Sequence, residues 1–173
     1  MLATIQTRID NLMKAMQQVV LPALPADAAL AREQAQLVIG HLSVIAQQWP
    51  RAAAYEAGNL EGLKSLGQAL VQAGAGGPET GKAVTGVQAR LEVSTDTADV
   101  VALQADLVAL GYSIDRLIEA AGVDGTADFH AASTNAVLVH AERQALRERI
   151  WCAGTHLDPD VAKLPPFESL FSR

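Results

Sequence analysis

Apolar residues return every three or four positions along most of this 173-residue chain, the spacing that lays one stripe along an α-helix. Ile5, Ile9, Leu12, Met16 and Val19 or Val20 set out a first helix, which Pro22 and Pro25 are expected to end. Asp27 is placed to cap a second helix running to about Trp49, where Pro50 disfavours α geometry in the residue before it. A third spans about 52–73, with Leu60, Leu63, Leu66, Leu70 and Val71 inward and a kink or break expected near Gly58. Residues 74–82 (GAGGPETGK) hold four glycines and a proline, the composition of a flexible connector. A short helix with Val84, Val87 and Leu91 follows, stopping near Ser94. Val100, Leu103, Leu107, Leu110, Ile114 and Leu117 then form an unbroken ladder of threes and fours, with Gly122 placed to close it. The last long helix carries Phe129, Ala132, Ala136, Val139, Leu146 and Ile150, and Gly154 ends it.

No run alternates apolar and polar residues over the length of a strand, and no long repeat is visible. Short connections make sequential helices antiparallel neighbours. The predicted fold is therefore all-α: an up-and-down antiparallel helical bundle of five main helices plus one short helix. It occupies residues 1–154, with 155–173 as a C-terminal tail packed on the surface and pinned by Leu164, Phe167, Leu170 and Phe171.

The second helix is the most informative stretch. From Gln34 to Pro50 it has no charge, and Leu37, Val38, Ile39, Leu42, Val44 and Ile45 cover most of its circumference. The remaining strip is Gln36, Gly40, Ser43 and Gln47, where small residues let another backbone come close. A helix so apolar is expected to be central in the fold, or to be covered by a second subunit.

Composition supports this outline. Half the residues are hydrophobic, 32 are alanine and only 4% are aromatic, which excludes disorder and argues against an all-β protein. The net charge of −6 repels a phosphate backbone, so nucleic-acid binding is not expected. One cysteine, Cys152, leaves no intramolecular disulfide and fits a reducing compartment. The opening residues do not read as a signal peptide, and the charge-free run is too short and polar to span a bilayer. The expected location is cytoplasmic, away from membranes.

Candidate chemistry is sparse. Gly76, four residues, Gly81 and Lys82 match the first part of a phosphate-binding loop, but Ala83 stands where that loop needs a hydroxyl for Mg²⁺. The residues before it read as helix, not strand, and Pro78 removes an amide from the cradle. No histidine follows a glutamate by three, and no two lie four apart, so no metal site or cofactor is expected. Cys152 sits at a helix C-terminus, where the dipole disfavours a thiolate, and no catalytic residue is assigned. Arg143, Arg147 and Arg149 read as favourable charge at that terminus, paired locally with Glu142 and Glu148.

Two functional readings follow. The first is a non-catalytic protein acting by association, with itself as a homodimer or with another protein as an accessory subunit, through Gln36, Gly40, Ser43 and Gln47. The second is a small-molecule-binding protein or enzyme with a pocket between helices. Its candidate residues are His41, expected on the buried side of the second helix, His140 as a partner from another helix, and Arg143.

Overall fold

The computed structural model describes residues 4–155 and 157–172. Every regular element among them is helical, and the fold is an all-α helical bundle. Six long helices follow one another: α1 (Ile5–Ala15), α2 (Ala29–Gln48), α3 (Ala52–Ala73), α4 (Pro78–Leu91), α5 (Val100–Asp124) and α6 (Ala127–Trp151). The chain divides into two compact units. One holds the described residues up to Ala52 together with Arg149–Phe167; the other holds Ala53–Glu148 and the residues from Glu168 onward.

In the first unit α1 packs on α2, and the buried apolar residues are few: Ile9, Ala35, Val44 and Ile150. Thr4 caps α1 by accepting from the amide of Thr7 at 3.1 Å. Pro22 does not end this helix. The chain widens into a π turn over Met16–Val20, passes through Pro22 in Leu21–Ala23, and stops where Leu24, preceding Pro25, turns extended. Arg32 of α2 donates to the exposed carbonyls of Leu21 and Leu24 at 3.3 and 3.2 Å, closing that end. Asp27 does not cap α2: its side chain makes no cap bond, and the helix starts at Ala29. At the other end Pro50 sits in a 3₁₀ turn, Trp49–Arg51, that leads straight into α3.

The second unit has the larger core, built from Leu60, Leu66, Leu70, Val87, Leu103, Leu110, Ile114, Leu117, Ala121 and Phe129. The α5 ladder faces inward as its spacing demands, with Leu103 and Leu117 fully buried. Gly58 does not break α3. The helix runs unbroken, and the Arg147 guanidinium occupies the space beside this glycine, where a Cβ would lie 2.6 Å from Nη2.

Residues 74–82 are not a flexible connector either. Only 74–77 lie outside helices; Pro78 takes the first position of α4, where its missing amide costs nothing. Asp124, at the far end of α5, caps α4 from across the unit. It accepts from the amides of Glu79 and Thr80 at 2.9 Å each and from the Thr80 hydroxyl at 2.6 Å. Backbone bonds Gly77–Asp124 and Thr126–Ala75 complete the seam and fix α4 antiparallel to α5. This also explains why Gly122 fails to end α5: the helix must reach Asp124 to make the cap, and Gly125 closes it instead.

The inward face of α6 is the main departure from the apolar pattern. Ala132, Val139 and Leu146 are exposed, whereas Phe129 and Ser133 are buried and Ala136, His140 and Arg147 half-buried. Arg147 donates to Asn59 Oδ1 at 3.2 Å and to the Tyr55 carbonyl at 3.3 Å, and lies over the Tyr55 ring at 5.4 Å. It is thus a packing residue between α6 and α3, not a local helix-end charge. Arg149 likewise pairs across the first unit with Asp158, at 2.7 and 3.2 Å, instead of with Glu148.

Candidate functional site

The expected central position of α2 is not what the structure shows. Of its residues only Ala35 and Val44 are buried. Leu30 is 71% exposed, Leu37 49%, Val38 45% and Ile45 47%. At about 100° per residue these four fall within one sector of roughly 100°, and His41 points into the middle of it. His41 is exposed, not on a buried side. The reason is the packing geometry: α1 covers the face carrying Ala35, Ile39, Leu42 and Ala46, and the apolar residues on the other side of α2 are left to solvent.

Beside this face lies a groove of about 300 Å³. Its α2 wall is Glu33, Gln36, Leu37, Gly40, His41 and Val44, and its opposite wall is Gly154, Thr155 and Leu157. Gly154 lets the second wall approach, since a Cβ there would meet Gln47 Oε1 at 2.9 Å and Val44 Cγ2 at 3.5 Å. The wall is anchored at several points. Gln48 donates to the Trp151 carbonyl at 2.9 Å, Thr155 donates to the Cys152 carbonyl, and Trp151 stacks on Phe167 at 5.4 Å. The bidentate Arg149–Asp158 pair brackets the wall in sequence and keeps the Asp158 carboxyl below the usual range. His156 lies outside the described residues.

Of the strip predicted for association, Gln36 and Gly40 line the groove, Gln47 abuts Gly154, and Ser43 is exposed and not part of its lining. No atom approaches within 4 Å of a Cβ built at Gly40, so the groove floor there is open. The apolar pattern placed Leu37, Val38 and Ile45 either inside the fold or under a second subunit; within this chain they are surface. Gly154 read only as a helix end, and nothing in the sequence signalled that it forms a wall.

His140 and Arg143 belong to the second unit, whereas His41 belongs to the first. Burial against α3 pushes the His140 pKa down, a hydrogen bond to the Gly62 backbone partly opposes this, and the nearby Arg143 charge adds to the lowering. Arg143 is exposed. Cys152 is an exposed free thiol.

The second unit has a wider groove of about 500 Å³ between α4 and α5, with Lys82 and Arg116 alongside Glu79 and Glu119. It does not form a phosphate cradle. The α4 amides that a phosphate would use are already taken by Asp124, whose carboxyl is held below its ordinary range chiefly by the Thr80 hydroxyl, against an opposing cost of burial, with these amides adding to the lowering. Among the described residues no three His, Cys, Asp or Glu side chains converge as a metal site, and no helix is long and apolar enough to cross a membrane.

Compared with protein-family models, curated proteins and solved structures, the chain finds no match.

Proposed function

We propose that this chain is a non-catalytic association protein that works as a homodimer, each copy covering the exposed apolar face of α2 in the other. The observation that carries this is the half-exposure of Leu37, Val38 and Ile45 along a helix with no charge from Gln34 to Gln48. The first unit buries few apolar residues of its own, so covering this face adds to a thin core. A second copy suits the face on electrostatic grounds. Two chains of net charge −6 repel one another over most of their surfaces, but a charge-free seam brings no like charges together.

Light scattering on the eluting protein tests the proposal. The wild type is expected to shift toward twice its 18.2 kDa mass as concentration rises. Ile45→Asp, a change at a half-exposed position, is expected to keep the fold and stay at 18.2 kDa. A wild-type mass of 18.2 kDa at all concentrations would exclude the homodimer and leave an accessory-subunit role with a different protein.

A second reading has its own observation. The groove beside His41 has the volume of a small-ligand pocket, an apolar lining and a few polar groups. Thermal-shift screening of small apolar metabolites, with His41→Ala as the control, tests it; stabilisation that survives in the variant counts against this site.

A further inference from the structure

We infer that the groove between α4 and α5 binds a small zwitterion, its ammonium held near Glu79 and its carboxylate near Arg116. The site lies wholly within the second unit and is independent of the α2 face. Small side chains make the hollow: Ala83 and Gly86 on α4, Ser113 and Ala120 on α5, with Val123 at one end. Gly86 bears most directly on a ligand. Inside a helix a glycine costs about 1 kcal/mol relative to alanine. Among the described residues nothing packs within 4 Å of a Cβ built there, so the bare backbone serves no contact within the chain. It leaves the groove floor open to a close approach from outside.

The charges lining the groove select the ligand. Residues of opposite sign three apart on a helix, as Glu79 and Lys82 or Arg116 and Glu119 are, ordinarily pair with each other. Among the described residues none of these four side chains forms an ion pair or a hydrogen bond, so all four charges are available. The Gly77–Asp124 backbone bond sets residue 77 level with residue 124, and the helices run antiparallel from there. At about 1.5 Å per residue, Glu79 stands about 3 Å along the groove, Lys82 and Glu119 share a level at about 7.5 Å, and Arg116 stands at about 12 Å. The level pair cancels, which leaves a carboxylate and a guanidinium about 9 Å apart along the axis. An extended dipeptide spans about 7 Å between its charged ends, and so does an ω-amino acid of that length. A groove of about 500 Å³ accommodates either. Arg116 supplies the planar fork that matches a carboxylate. The groove is neutral in a chain of net charge −6, so it does not repel a zwitterion, whereas a dianion or a dication meets a like charge at one end.

Titration of the intact chain with alanyl-alanine, followed by two-dimensional NMR, tests this. The amide resonances of Ala83, Gly86, Ser113 and Ala120 are expected to shift and saturate. N-acetyl-alanyl-alanine and alanyl-alanine amide, each lacking one charge, are expected to bind at least about tenfold more weakly. Arg116→Gln is expected to erase the preference for the free carboxylate and keep that for the free amine, and Glu79→Gln to do the reverse. General damage to the fold would not give that split. Gly86→Leu fills the hollow with a good helix former and is expected to abolish the shifts with circular dichroism unchanged. 5-Aminopentanoate has the same charge spacing without a peptide bond; binding equal to the dipeptide's supports recognition of the charges alone, and weaker binding supports a peptide site. The inference fails if alanyl-alanine moves none of these resonances at about 10 mM. It fails equally if the capped forms bind as well as the free one, or if Gly86→Leu binds as the wild type does.

Discussion

Leu37→Ala offers the sharpest quantitative handle on the α2 face. Leu37 is 49% exposed, so about half of its apolar surface remains to be buried by a partner. Full burial of a leucine is worth about 1.5–3 kcal/mol, which leaves about 1 kcal/mol per copy at this site. The substitution falls in both copies, so the dimer loses about 2 kcal/mol and the dissociation constant rises about 30-fold. The same reckoning over Leu30, Leu37, Val38 and Ile45 gives about 9 kcal/mol gross per dimer, which exceeds the cost of association only where that cost lies in the lower half of its range of about 4–15 kcal/mol. The dimer is therefore one of modest affinity, and measurement must extend to about 1 mM, where a millimolar constant is still visible. Sedimentation equilibrium of wild type, Leu37→Ala and Val108→Ala over that range decides the matter. Val108 is 70% exposed but lies on α5, in the other unit, and its removal is expected to leave the constant unchanged. Equal constants for the wild type and Leu37→Ala, or equal losses in the two variants, would refute the reasoning.

Other consequences concern the fold. Gly111 lies inside α5 with nothing within 4 Å of a built Cβ, so Gly111→Ala is expected to stabilise by about 0.5–1 kcal/mol and raise the melting temperature by a few degrees in calorimetry. Phe129 is 1% exposed in the core of the second unit, and Phe129→Ala is expected to cost about 3–5 kcal/mol by chemical denaturation. Both His140 and Asp124 have folded-state pKa values below their ordinary ones, so the unfolded chain binds more protons than the native one and stability is lost as the pH is lowered. Urea titrations are expected to show a first decline below about pH 6.5 that His140→Gln removes, and a second below about pH 4 that Asp124→Asn removes.

What the sequence disclosed, and what it hid, follows from where each element finds its partners. The α5 ladder was legible because its interior is apolar throughout, from Leu103 to Leu117. The α6 interior was not, because Ser133, His140 and Arg147 replace the apolar residues that periodicity counts, and their bonds reach α3 or their own backbone. The Asp124 cap escaped notice because the helix it serves starts 46 residues earlier in the chain. For α2 the composition was read correctly as apolar and charge-free; composition reports that a surface avoids water, not which molecule covers it. Gln36, Gly40 and His41 did converge on one groove, since all three share a helix, whereas His140 and Arg143 lie in the other unit.

The most direct test is hydroxyl-radical footprinting of the intact chain at low and high protein concentration. If α2 is an interface between copies, labelling of Leu37, Val38 and Ile45 falls as concentration rises, while Val108 and Leu138 keep their rates. Unchanged labelling of the α2 residues at both concentrations would mean that water is their only partner, contrary to this account.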